Sequence, residues 1–313
     1  MATVVITGGA GFIGSNLAHA LVARGDQVRI YDNFYSGRRV NLTGIADRVE
    51  LVEADIRDRA ALDRAFAGAD FVFHEAALPS VARSIEDPVT SHDVNINGTL
   101  QVLEAARQAG VKRLVYAASS SAYGETPVLP KVETMPTQPI SPYGVAKLLG
   151  EQYCQVWTRV FGLPCVALRY FNVFGPRQSP ESDYAAVIPK FVTMMQAGRA
   201  PTLFGDGRQT RDFCYIDNVV EANLKALTAP AAPGNVYNIA CGERFSLLDL
   251  VALINGILGT ALVAKHGPPR TGDIHDSLAD IGAAQRDLAY SGAVHFEAGL
   301  RQVVEWYRRH PEG

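Results

Sequence analysis

Cysteine is scarce in this chain, and the few present do not pair. Cys154, Cys165, Cys214 and Cys241 lie far apart, with no C-x-x-C spacing. That argues against a zinc site and a disulfide framework, and for small buried hydrophobes in a reducing cytosol. Long apolar runs are also missing, so no membrane-spanning segment is expected. The opening "MATVVITGG" lacks the charged and long apolar regions of a secretory signal. Nor is there a long run of one charge. The net charge is −3 with scattered basic residues, which excludes the concentrated positive surface of a nucleic-acid binder. The 7 histidines form no ligand pattern, so no metal is expected. His74, alone at a strand end, reads as a packed structural residue. No internal repeat or low-complexity tract is present.

What is there is an alternation. The apolar runs "TVVITGG", "QVRIYDN", "VELVEAD", "DFVFHEAA", "RLVYAASSS" and "PCVALRYFNVFG" read as strands. Helical segments separate them, several closing on a glycine (Gly25, Gly68, Gly110). Continuously apolar strands imply burial on both faces. Alternating strand and helix implies an α/β fold with a Rossmann-like, doubly wound parallel sheet. After Phe174 the chain turns polar and turn-rich, then gives separate helices and short strands. Residues 1–175 are expected to form a dinucleotide-binding domain. Residues 176–313 are expected to form mainly a smaller α/β substrate domain, with some later segments returning to the first sheet.

Between the first strand and first helix stands "TGGAGFIG", with Gly8, Gly11 and Gly14 spaced G-x-x-G-x-x-G. Gly8 permits the tight turn. Gly11 lets backbone approach a pyrophosphate at the helix N-terminus. Gly14 lets helix and sheet pack closely. Asp32 ends the second strand, where its carboxylate can accept both hydroxyls of an adenosine ribose. A 2′-phosphate there would meet like charge; Arg38 and Arg39 lie soon after and could in principle receive a phosphate, but Asp32 stands where the ribose arrives, so NAD is favoured over NADP. Asp55 and Ile56 follow the third strand, beside the expected adenine; Asp55 reads equally as a strand-end cap.

A second pattern lies further on. The fifth strand ends in Ser119, Ser120 and Ser121, at the sheet's carboxyl edge. Then "SPYGVAKLLGEQY" opens a helix, with Ser141 as cap and Pro142 at the first helical position. Tyr143 and Lys147, four residues apart, share one face. The pair carries little alone. With the glycine turn, Asp32 and Ser119, it places a hydroxyl, a phenol and an ammonium beside a nicotinamide. An ammonium near a phenol is expected to lower the tyrosine pKa and make it a base for a sugar hydroxyl.

These motifs, with "LRYFNVFGPRQ" and "GDGRQTRDFCYIDN", resemble the extended short-chain dehydrogenase/reductase superfamily. The resemblance covers nearly the whole chain and is strongest to its nucleotide-sugar 4-epimerases, UDP-N-acetylglucosamine 4-epimerases above all. It implies tightly held NAD, a UDP-sugar substrate, and a homodimer formed through helices holding Gly98–Ala109 and Pro142–Val160. It makes Tyr143 the base at the sugar 4-hydroxyl, Lys147 a ribose ligand and Ser119 a hydrogen-bonding partner of the reacting oxygen. It adds Phe12, Ile13, Asn33, Ser36, Gly37, Ala76, Asn95 and Val173 to the NAD site. It assigns Ser80, Ser120, Ser121, Val187 and Ser277 to the sugar end. Asn172, Arg211 and Arg270 fall to the UDP diphosphate region, with Asp273 near the uridine ribose. Pro79 departs from the pattern, standing where some UDP-galactose epimerases carry a lysine. Ser277 is small, so an acetamido group should fit beside it; read alone, it is a surface serine before a helix. A 4,6-dehydratase would need an acid/base carboxyl pair after Ser119, and Ser120 and Ser121 stand there instead. A sugar-acid decarboxylase is disfavoured likewise. A dinucleotide-sensing regulator would be expected to lack Tyr143 or Lys147.

Overall fold

Runs rich in valine and isoleucine make the central layer. The computed structural model describes residues 1–180, 186–268 and 275–310. Strands β1 (Thr3–Thr7), β2 (Gln27–Asp32), β3 (Val49–Glu53), β4 (Phe71–His74), β5 (Arg113–Ser119) and β6 (Cys165–Tyr170) pair in parallel. A seventh strand, Val236–Ile239, adds in parallel to β6. The order across the sheet is Val236–Ile239, β6, β5, β4, β1, β2, β3. The chain therefore winds outward from β1 through β3, then returns to β4 and winds the other way. The reversal leaves a crevice between the carboxyl ends of β1 and β4, where such sheets bind ligands.

Burial follows position in the sheet. All six residues of β6 are buried. At the opposite edge, β3 presents Glu50 and Leu51 to solvent, so the expectation of strands buried on both faces fails there. β3 lies at the sheet's end and borders only β2, and its Glu50 pairs with Arg29 at 2.7 Å. One apolar cluster packs helix α1 (Phe12–Arg24) and the later helices against one face; a second packs helices Arg59–Phe66 and Thr99–Ala109 against the other.

Two local features set the site. The helix Pro142–Phe161 starts as its sequence dictates: Ser141 Oγ accepts from the Gly144 amide at 3.1 Å and Pro142 occupies the first turn. Before helix Thr99–Ala109 the chain makes one wider turn over Asp93–Gly98, and a Cβ on Gly98 would lie 2.6 Å from Ile56 Cδ1. No described helix is long and apolar enough to cross a membrane.

Candidate active site

A cavity of about 880 Å³ opens over the carboxyl ends of β1, β2, β4 and β5. Its floor is the glycine turn. Gly8 has φ +69°, and a Cβ there would lie 2.7 Å from the Ala76 backbone. A Cβ on Gly14 would lie 2.2 Å from the Gly8 carbonyl. Both demand glycine for reasons of space. Gly11 caps α1 without any side-chain bond, so first-turn N–H groups face the cavity as donors for an anion.

Asp32 stands beside this turn, 7% exposed. Its Oδ2 accepts from the Ala10 amide at 2.9 Å and its Oδ1 from the Phe34 amide at 2.8 Å. Burial raises its pKa, and these two amides oppose the rise. Each oxygen keeps a lone pair for a ribose hydroxyl. A Cβ on Gly37 would lie 2.7 Å from Asp32 Oδ1, which gives the glycine of "YSG" a physical reason. Arg39 is turned away, paired with Glu53 at 2.5 Å and lying over the Phe34 ring. Asp55 accepts from the Arg57 side chain at 2.8 and 2.9 Å and from Asn33 Nδ2 at 2.9 Å. The Arg57 hydrogen bonds hold its pKa down to about 2. It also caps the Arg57 amide and borders the cavity.

The reactive side chains lie at the other end. Tyr143 and Lys147 line the cavity together with Glu75 and Tyr170. Lys147 Nζ donates to the Ala117 carbonyl at 2.7 Å and lies 5.9 Å from the Tyr143 ring centre. Burial lowers the Lys147 pKa to about 8, opposed by the charges of Glu75 and Glu151. Burial also pushes Tyr143 up to about 12, while a hydrogen bond from Ser119 pulls it down and the Glu75 charge adds to the rise. This corrects the expectation of a phenol lowered by its lysine. The lysine is aimed at a backbone carbonyl, and Ser119 is the group that eases Tyr143 ionisation. Ser119 in turn accepts from the Ser121 hydroxyl at 2.8 Å.

A second cavity, about 550 Å³, adjoins the first, and Ala186 borders both. Asn172, Val187 and Arg211 line it, with Lys190, Gln209 and four phenylalanines, Phe174, Phe191, Phe204 and Phe213. Asn172 takes a positive φ of 32° and donates both to the Asp212 carbonyl and to Ser277 Oγ, each at 3.0 Å. Asp212 is fully buried and accepts from the amides of Cys241, Gly242 and Ala279. It locks the loops behind Asn172 and Ser277.

The structure gathers most of the expected residues at these two cavities. Phe12, Ile13, Asn33, Ser36, Ile56 and Ala76 border the first. Val173 borders the second instead. Asn95 stands behind the wall: it is 2% exposed, and its side chain accepts from the Leu78 amide and donates to the Leu78 carbonyl. Ser80 caps the helix Val81–Glu86, accepting from the Arg83 amide at 3.1 Å. Ser120 lies in the short turn Ser120–Tyr123. Arg270 and Asp273 lie outside the described residues. His74 is buried between Thr7 at 2.8 Å and Thr99 at 2.9 Å, and burial holds it neutral. Sequence reasoning missed Glu75 and Arg177. Glu75 follows His74 directly at the carboxyl edge of β4, and that position was the available signal. Arg177, at φ +70°, borders the first cavity and donates to Asn16 of α1 at 2.7 Å.

Known proteins share this sequence pattern and fold. Residues 4–240 match the NAD dependent epimerase/dehydratase family. The UDP-glucose 4-epimerase of Mycolicibacterium smegmatis is 38% identical over 309 residues, covering 97% of this chain and 98% of that enzyme. The solved UDP-N-acetylglucosamine 4-epimerase from Methanobrevibacter ruminantium M1, in complex with UDP-N-acetylmuramic acid, superposes with a TM-score of 0.94 at 37% identity, covering 99% of each chain. The UDP-glucose 4-epimerase of Thermus thermophilus, in complex with NAD, superposes with a TM-score of 0.89 at 36% identity, covering 98% of this chain and 99% of that one. The chain belongs to the NAD-dependent epimerase/dehydratase family. It is an NAD-dependent isomerase of the UDP-sugar 4-epimerase kind, with NAD as its cofactor.

Proposed function

We propose that this enzyme interconverts UDP-N-acetylglucosamine and UDP-N-acetylgalactosamine, and accepts the UDP-glucose/UDP-galactose pair as well. The observation that carries the choice is Ser277. It lines neither cavity itself but is a small side chain bonded to Asn172, which lines the second; a serine there would leave room for an acetamido group. A pocket with that room discriminates weakly against the smaller sugar.

The first cavity fits NAD by its own features: a turn that only glycine can make, uncapped helix amides for the pyrophosphate, and Asp32 for the ribose. Bound NAD supplies a reversible hydride acceptor. Tyr143 takes the proton of the sugar 4-hydroxyl and returns it to the same oxygen when the hydride comes back to the opposite face of carbon 4. Ser119 holds the reacting oxygen. Lys147 holds the nicotinamide ribose and keeps a positive charge nearby. The second cavity anchors UDP, with Arg211 and Lys190 near the diphosphate and the phenylalanines around the base. That anchor stays fixed while the 4-keto sugar turns.

The protein is also proposed to pair with itself. The helix Pro142–Phe161 leaves Val145, Val156, Val160 and Phe161 exposed, and Ile85 and Val89 lie exposed nearby. Such an apolar face fits a second copy. The substrate test is direct. Purified enzyme is incubated separately with UDP-N-acetylglucosamine and UDP-glucose, and each epimer is followed. Both pairs should interconvert; turnover of the unacetylated pair alone overturns the Ser277 argument.

A further inference from the structure

Glu75 has no part in the mechanism above, yet it lines the reactive end of the cavity. Its Oε1 lies 3.0 Å from the Tyr170 hydroxyl. That hydroxyl also meets Asn223, 2.8 Å from Nδ2 and 3.1 Å from Oδ1. Asn223 is itself fully buried and anchored to the Val219 carbonyl at 2.8 Å. Tyr170 can therefore satisfy Glu75 in both protonation states. An ionised Glu75 accepts a hydrogen bond from the tyrosine hydroxyl. A protonated Glu75 donates to the tyrosine oxygen, and the tyrosine then donates to Asn223. A half-buried carboxyl held this way can change charge without moving its neighbours.

The groups that face it, among the described residues, are few. From helix Pro142–Phe161 come Tyr143 and Lys147, and both feel its charge. From β6 comes Tyr170; helix Ile216–Ala226 contributes only the uncharged Asn223. On its own strand, His74 is held neutral between two threonines. Glu151 also acts on Lys147, but it is committed to Arg169 and lies outside the cavity lining. At this end of the cavity Lys147 is the cation and Glu75 the carboxylate that answers it.

We propose that Glu75 is a positioning residue that offsets Lys147 and sets the redox balance of the bound dinucleotide. This rests on the reading that Tyr143 and Lys147 flank the nicotinamide. A 4-epimerase must take a hydride and give the same hydride back, so neither form of the cofactor can be strongly preferred. The oxidised ring carries a positive charge that the reduced ring lacks. Lys147 alone disfavours the oxidised form; an ionised Glu75 favours it. The Glu75 pKa lies at about 7, raised by burial and lowered by Tyr170 and Lys147. Its charge is therefore present above neutral pH and lost below.

The test reads the cofactor rather than turnover. Purified holoenzyme is equilibrated with a soluble redox mediator at fixed potential, and the ratio of reduced to oxidised bound dinucleotide is measured from its near-ultraviolet absorbance. At pH 8, Glu75→Gln should raise that ratio relative to wild type by on the order of tenfold. The two proteins should converge as the pH falls to about 6, below the Glu75 pKa. Tyr170→Phe, which removes the hydroxyl but keeps the carboxyl, should move the convergence to higher pH. Equal ratios at pH 8, a difference that ignores pH, or an unmoved crossover in Tyr170→Phe would overturn the inference. A separate control adds UDP-sugar to wild type. If it never reduces the bound dinucleotide, the mechanistic reading fails and this inference with it; if it does, a null result in Glu75→Gln condemns this inference alone.

Discussion

The amide of Asn172 donates to the hydroxyl of Ser277 at 3.0 Å, joining residues 105 positions apart. That bond fixes a small side chain behind Asn172, which lines the second cavity. Ser277→Tyr fills the space and removes the Asn172 partner. Its kcat/KM should fall for both UDP-sugars, and on the order of tenfold further for the acetylated one. Parallel assays on the two substrates give the comparison, and equal losses would contradict the assignment.

The pH response of the reaction has a definite sign. Burial lowers the Lys147 pKa to about 8, so its charge is present below that pH and lost above it. With Tyr143 as the base, pushed up to about 12, and the ammonium needed beside it, kcat/KM should rise with pH toward about 8 and level off above it. Lys147→Arg keeps its charge throughout and should go on rising past pH 8, from a lower overall rate. A wild-type profile that keeps rising to about pH 10 would show that the lysine charge is dispensable.

Two glycines separate space from conformation. Gly25 has φ +89° and no heavy atom within 4 Å of where a Cβ would sit, whereas a Cβ on Gly14 would strike the Gly8 carbonyl at 2.2 Å. Gly25→Ala should cost roughly 1–2 kcal/mol through its left-handed backbone alone and leave bound NAD unchanged. Gly14→Ala should displace the glycine turn and cost about 1–3 kcal/mol or more. It should also strip NAD from the purified protein. Urea unfolding and cofactor content, measured on both variants, check the pair.

The Glu151–Arg169 ion pair is nearly sealed, with side chains 2% and 5% exposed and contacts of 2.9 and 2.7 Å. Removing one partner leaves the other charge buried. Glu151→Gln should therefore lower the unfolding free energy by about 3–5 kcal/mol. A loss under about 1 kcal/mol would mean that the guanidinium finds water or another acceptor.

Much of this was legible in the chain because local chemistry forced it. The glycine turn, the Ser141–Pro142 helix start and the apolar strand runs each carry a physical requirement at fixed spacing. What escaped depended on which residues the fold brings together. Glu75 sits in an apolar run and reads as an ordinary strand-end acid; only the fold, which packs helix Pro142–Phe161 on β5 and β6 and sets β6 two strands from β4, brings Lys147 and Tyr170 to it. Asn95 faces Leu78 rather than the cavity, because the wider turn at Asp93–Gly98 sets its direction. The direction of the Tyr143 shift was missed because burial outweighs a lysine whose ammonium points to the Ala117 carbonyl. The exposed β3 was missed because an edge strand and an inner strand can share one composition.

The central claim is that Tyr143 and bound NAD strip carbon 4 and then restore the same hydrogen. UDP-N-acetylglucosamine carrying deuterium at carbon 4, turned over in ordinary water, tests it most directly by mass spectrometry of the epimer. Full retention of the label at carbon 4 is predicted, with turnover lowered on the order of 10²- to 10⁴-fold in Tyr143→Phe. Loss of the label to solvent, or an unaffected Tyr143→Phe, would contradict it.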